Sequence, residues 1–119
     1  MNRVLKFRAW DDDKKLFFNP LHHNCYDFEE IQTRGLYDIS QFTGLTDIEC
    51  NEIYEGDIMA SDKNVLFRVY WDVERGCFSV VCRNIWNKIN NPSLFKSLIW
   101  ASSKCRVIGS VYSNPELLK

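Results

Sequence analysis

Residues 65–83 constrain the fold more than any other stretch of the chain. From Val65 to Trp71 the side chains alternate. Val65, Phe67, Val69 and Trp71 lie on one face; Leu66, Arg68 and Tyr70 lie on the other. That is the period of a β-strand, whose successive Cβ atoms point to opposite sides of a pleated backbone. Asp72-Val73-Glu74-Arg75-Gly76 breaks the pattern, and Cys77–Arg83 resumes it with Phe78, Val80 and Cys82 on one face. A five-residue link with glycine near its end suits a hairpin, where a left-handed residue is often needed. Two facing apolar stripes bury about 1.5–3 kcal/mol per large side chain. This ribbon is therefore the expected stable centre of the fold.

The flanking segments read the same way. Val4–Trp10 alternates, with Leu5, Phe7 and Ala9 opposed to Lys6, Arg8 and Trp10. Asp11–Lys15 is a polar reversal, and Lys15–Phe18 can return as a second strand until Asn19-Pro20 ends it. Residues 22–36 show no clean period and are expected as a surface loop. Ile39–Leu45 reads as a strand ending near Thr43-Gly44. Asp47–Asn51 is a turn, Ile53-Tyr54 a short apolar step, and Glu55-Gly56-Asp57 a tight corner before a strand from Ile58. Asn91-Pro92 offers an N-cap and a first-turn proline. With Leu94, Phe95, Leu98 and Ile99 at helical spacing, a short helix is expected over about residues 92–100. Cys105–Tyr112 is a last strand, and Gly109 within it suggests a bulge or a close backbone approach.

Short strands separated by turn signals every 8–12 residues argue for a small barrel or sandwich. The expected class is mostly β, on the margin of α+β, with one or two short helices. Residues 1–45 would form an N-terminal β layer, and residues 46–119 a barrel-like unit packed on it. The expected core includes Phe7, Ile53, Ile58, Phe67, Val69, Phe78, Val80, Val107 and Val111. An apolar fraction of 45% is enough to build it.

Composition excludes several function classes. No apolar run approaches the roughly 18 residues that span a bilayer, so no membrane partner is expected. The N-terminus MNRVLKFRAWDDD has neither an apolar signal core nor a small-residue cleavage site, which predicts a cytoplasmic protein. The five cysteines are odd in number and form no C-x-x-C pair. Reduced thiols are expected rather than disulfides or a zinc ribbon. The net charge of −1 gives no general attraction to polyanions. It is unevenly spread: residues 1–60 carry 6 cations and 12 acids, and residues 61–119 carry 9 and 4. Either the halves interleave on one surface, or complementary faces support self-association.

Four segments together resemble the YopX-like family of small phage and prophage proteins. They are Phe7-Arg8-Ala9-Trp10-Asp11; Gln41-Phe42-Thr43-Gly44-Leu45; Glu52-Ile53-Tyr54-Glu55-Gly56-Asp57-Ile58; and Val107-Ile108-Gly109 leading to Tyr112, Asn114, Pro115, Glu116 and Leu117. The motif residues that stand out are Thr43, Gly44, Tyr54, Glu55, Gly56, Asp57 and Gly109. Two departures are visible. Glu49-Cys50 replaces an Asn-Gly-type turn, so a non-glycine residue must take that geometry, and Ser110 replaces an asparagine. The resemblance implies a phage- or prophage-encoded protein acting in the host cytoplasm. It also implies a mainly β fold with an SH3-like barrel in the C-terminal part. It implies no reaction.

Candidate chemistry is sparse. His22-His23-Asn24-Cys25 holds potential metal ligands, but zinc usually needs two separated pairs, and a polar loop is the simpler reading. Asp47, Glu49, Glu52, Glu55 and Asp57 form an acidic run that serves turns as readily as a metal. A nucleophile needs a base and an orienting group; Cys25 with His23 is a poor fit, and no glycine-rich phosphate loop occurs. No cofactor and no enzymatic activity are expected. Two binding classes remain. Four tryptophans, five tyrosines and eight phenylalanines suit a protein interface or self-association, which is the leading expectation. The alternative is single-stranded nucleic acid, contacted through Arg68, Tyr70, Arg83, Trp86, Lys88, Lys104 and Arg106, with Lys96 nearby. A pI near 6.1 counts against it.

Overall fold

The computed structural model describes residues 5–20, 38–82 and 95–118. It contains two antiparallel sheets. The first has β1 (Phe7–Asp11), β2 (Leu16–Phe18), β3 (Asp38–Thr46) and β4 (Glu52–Tyr54), in the order β2-β1-β3-β4. The second has β5 (Asp57–Ser61), β6 (Leu66–Asp72), β7 (Cys77–Cys82), β8 (Phe95–Ser97) and β9 (Cys105–Ser110), in the order β8-β7-β6-β5-β9. This sheet curls into a half-barrel. One helix, α1 (Leu98–Lys104), links β8 to β9, and a 3-10 turn (Pro115–Leu118) follows. The mostly β expectation holds. The change from one sheet to the other comes at the Glu55-Gly56 corner.

The β6–β7 ribbon forms where alternation placed it, with Phe67 opposite Cys82, Val69 opposite Val80 and Asp72 opposite Cys77. Its turn is held by Asp72, whose Oδ1 accepts the Glu74 and Arg75 amides at 3.1 and 3.2 Å. Gly76 takes φ +65° and donates its amide to the Asp72 carbonyl. At the other hairpin, Asp11 accepts the Asp13 and Lys14 amides, and Ala9 pairs with Phe18.

One core cluster joins both sheets and the helix. Ile53 comes from β4; Met59, Phe67, Val69 and Val80 come from the second sheet; Leu98 and Ala101 come from α1, with Cys105 beside them. Ile58 is also fully buried, on the other face of β5. Phe78 and Val107 pack only at the margin, and Phe7 and Val111 are half-buried. Met59 and Ala60 are buried because β5 lies between β6 and β9, covered on both faces. Cys105 is buried, whereas Cys77 is exposed and Cys82 intermediate; all are free thiols.

Three expectations need correction. Of the helix expected over about residues 92–100, residues 92–94 lie outside the described residues, and within the described ones the helix is Leu98–Lys104, with Phe95–Ser97 a strand. Phe95–Ser97 pairs with β7 instead, and Ser97 is the N-cap, its Oγ accepting the Trp100 amide at 3.1 Å. Strand pairing overrides the helical spacing there. Ile99, expected on an apolar stripe, is 72% exposed. The second correction concerns β1, whose two faces are both covered: Trp10 is 5% exposed and packs on Phe17, ring centroids 4.8 Å apart. Third, Trp71 is 43% exposed, because the β6 stripe outruns the core at the hairpin end.

Gly109 bears out the bulge reading, and what closes on it is a side chain, that of Asn114, rather than another backbone. The β5–β9 register shifts between Ile58, opposite Gly109, and Met59, opposite Val107. Ile108 is thus the extra residue of a bulge. A Cβ on Gly109 would meet Asn114 Oδ1 at 2.3 Å. Cys50 supplies the positive φ, +65°, in the Asp47–Asn51 turn.

Candidate binding site between the two sheets

The chain crosses between sheets at Glu55-Gly56-Asp57, and Gly56 makes the crossing possible. Its φ of +86° is left-handed, and a Cβ there would lie 3.0 Å from the Tyr112 ring. Its amide donates to the Val69 carbonyl at 2.9 Å, and its carbonyl accepts the Val111 amide at 2.8 Å. The corner is thereby fastened to β6 and to the end of β9. The two carboxylates flanking it point into different surroundings.

Asp57 faces inward and is 1% exposed. It forms an ion pair with Arg8, and its Oδ2 accepts the Tyr54 amide at 2.8 Å. Burial pushes its carboxyl up, against the pull of Arg8 and of the Tyr54 amide. The Arg8 guanidinium is itself sandwiched, 3.9 Å from the Phe17 ring centroid and 4.4 Å from that of Tyr54. Its Nε is buried and has no hydrogen-bond partner among the described residues. The first and third motif segments therefore meet in one ion pair across the sheets.

Asp47, two residues beyond the second segment, ties its own turn to Val107 of the fourth by hydrogen bonds. It is 4% exposed, and accepts the amides of Glu49, Asn51 and Val107 at 2.9, 2.8 and 2.7 Å. Burial raises its carboxyl, but the three backbone amides outweigh it and hold the group below the ordinary range. Thr43 Oγ1 donates to the Ile53 carbonyl at 2.8 Å, and Gly44 beside it takes φ +91°. Ser110 Oγ accepts the Tyr112 and Ser113 amides at 3.2 and 2.9 Å, so serine holds this turn. Thr43, Tyr54, Gly56, Asp57 and Gly109 thus make contacts within the fold, and Gly44 takes a left-handed backbone beside Thr43.

Glu55 is different. It lies at the junction of two shallow grooves. One, of about 270 Å³, runs past Ile39, Gly56, Arg68, Tyr70 and Tyr112. The other, of about 230 Å³, runs past Gln41, Trp71 and Phe78. Trp71 and Phe78 meet edge to face with centroids 5.0 Å apart, forming an aromatic rim. Burial pushes the Glu55 carboxyl up, and the Gln41 backbone amide draws it partly back. No cation pairs with Glu55 among the described residues.

The candidate nucleic-acid residues are distributed as follows. Arg68 pairs with Ile58, and Ile58 shares a face of β5 with Ala60, which pairs with Arg106. Arg68, Tyr70 and Arg106 therefore lie on one face of the second sheet. Lys104 is exposed at the end of α1, which covers the opposite face. Arg83, Trp86 and Lys88 lie outside the described residues, as do His22, His23, Asn24 and Cys25. Among the described residues no three of His, Cys, Asp or Glu gather as metal ligands, and no helix is long and apolar enough to cross a membrane. Sequence reasoning placed Trp71 on the apolar face of the ribbon, Phe78 in the core and Glu55 in a turn. An aromatic at the last strand position before an acidic turn was the available signal for a rim.

No curated protein sequence matches the chain. A solved structure, protein EF1440 from Enterococcus faecalis, aligns with a TM-score of 0.67 at 24% identity, covering 99% of this chain and 100% of that one. At that identity the likeness is one of fold. The model of the YopX protein family matches residues 20–119. The match thus takes in three of the four motif segments and begins after the β1–β2 hairpin. The chain belongs to the YopX family.

Proposed function

We propose that this chain is a non-enzymatic binding module for a protein, encoded by a phage or prophage and working in the cytoplasm of its bacterial host. One observation carries the reading: the inter-sheet grooves meet beside an aromatic pair, Trp71 and Phe78, with Trp71 43% exposed. Large aromatics at the edge of a concavity are the residues that most often anchor protein interfaces. Among the described residues the groove lining is otherwise aliphatic, aromatic and amide, with Glu55 and Arg68 as its charges. The partner is another protein or a second copy of this chain.

The test compares wild type with Trp71→Ala in affinity capture from host lysate, with the captured protein then titrated in purified form. A partner bound by wild type and lost by the variant supports the reading. Equal capture by both, together with a monomer by light scattering at high concentration, rejects it. The single-stranded nucleic-acid reading keeps one observation in its favour, the shared face of Arg68, Tyr70 and Arg106. Oligonucleotide anisotropy at two salt concentrations decides it, since phosphate contacts make binding weaken steeply with salt.

A further inference from the structure

We propose that the inter-sheet groove receives a lysine or arginine side chain from an extended segment of a partner protein, its cation paired with Glu55 and its stem laid against Trp71 and Phe78. This rests on the reading of the chain as a protein-binding module. Five carboxylates among the described residues are buried or half-buried: Asp11, Asp47, Glu55, Asp57 and Asp72. Four are answered within the chain. Asp11 takes the amides of Asp13 and Lys14. Asp47 takes three amides, and Asp57 takes Arg8 and the Tyr54 amide. Asp72 takes two amides and the Arg75 guanidinium at 3.6 Å. Glu55 has the Gln41 backbone amide beside it and, among the described residues, no cation. A carboxylate drawn partly out of water without a counter-charge is costly, and a ligand cation supplies what the chain does not.

The same corner says how the ligand is held. The Glu55 amide already donates to the Gln41 carbonyl at 3.0 Å, and the Gly56 amide to Val69. The corner therefore offers no free ladder to an added strand, and recognition runs through side chains. Trp71 and Phe78 line the second groove together with Glu55. A Lys or Arg stem can cover that apolar surface while its head reaches the carboxylate, with the indole face adding cation–π attraction. Arg68 lines the first groove, and no ion pair engages it among the described residues. The segment is thus oriented, with its cationic residue at the Trp71 end and a carboxylate or carbonyl toward Arg68.

A random dodecapeptide display library, panned on the full chain, tests this. The expected result is enrichment of sequences with a Lys or Arg beside an apolar residue. A synthetic winner should bind about tenfold more weakly to Glu55→Gln, and replacing its cation by norleucine should weaken binding by a similar factor. The two losses should not add, because they remove the same pair. The norleucine arm leaves the protein untouched and stands even if the variant folds poorly. Enriched peptides without a cation, or affinity unchanged by Glu55→Gln, would overturn the assignment while leaving a protein-binding module in place. Failure to enrich any peptide would also overturn it. So would a dimer, seen by light scattering, that Glu55→Gln dissociates, since the cation would then come from a second copy.

Discussion

Asp57 and Glu55 stand on either side of Gly56, yet the regions they face differ in almost every respect. Beneath Asp57 lies a closed seam: the carboxylate pairs with Arg8, whose guanidinium lies between the Phe17 and Tyr54 rings, and the ion pair crosses from β1 to β5. Above Glu55 lies an open groove with an exposed indole and a carboxylate that meets no cation among the described residues. The two acids are chemically alike and two residues apart. What separates their roles is whether the rest of the chain supplies a partner. A polar group satisfied from within reports on folding; one left open at a concavity reports on a ligand.

The largest break in the comparison should come from Asp57→Ala. It strands Arg8 between two rings with no anion, and breaking one side of a buried ion pair costs about 3–5 kcal/mol. Urea denaturation would read this as a lower midpoint with an unchanged slope. Asp47→Ala comes next. It leaves the Glu49, Asn51 and Val107 amides without their acceptor, at about 2–3 kcal/mol in total. Because Asp47 is held below the ordinary carboxylate range, its contribution is present above that range. It is lost as pH falls through the lowered folded value, and Asp47→Asn should flatten that acid limb.

Gly109→Ala should cost about 1–3 kcal/mol by overpacking, since its Cβ would sit 2.3 Å from Asn114 Oδ1. Adding Asn114→Ala should restore part of the loss, which a thermal melt of the pair would show. Glu55→Gln should be the smallest, within about 0.5 kcal/mol of wild type. Its pH signature has the opposite sign to that of Asp47. Burial raises the Glu55 carboxyl, so the folded state holds that proton more tightly than the unfolded chain. Its contribution favours the fold at low pH and is lost as pH rises from the ordinary range through the raised value. Stability measured across that window should drift downward in wild type and stay flatter in the variant.

The seam and the groove were unequally legible in the sequence. The β6–β7 ribbon was readable because period-two alternation and a glycine-ended turn are local signals, and its observed strands begin and end within one residue of the alternating runs. The Glu55-Gly56-Asp57 corner and the Gly109 bulge were readable for the same reason. The pairing of Arg8 with Asp57, 49 residues away, was not. Alternation put Arg8 on the outer face of its strand, and nothing local marks the rings that enclose it. The link from Asp47 to Val107, 60 residues on, was hidden likewise. The helix was read to start too early within Phe95–Ser97 because helical spacing of Phe95, Leu98 and Ile99 is a local signal, whereas β8 pairing along β7 is supplied only by the folded sheet. The groove was least legible, since it exists only where two sheets meet.

Urea unfolding of D57N and E55Q, side by side at neutral pH, asks most directly whether one carboxylate serves the fold while its neighbour is kept for a ligand. The account predicts that D57N loses at least about 2 kcal/mol while E55Q stays within about 0.5 kcal/mol of wild type. Equal losses, or a larger loss in E55Q, would contradict it.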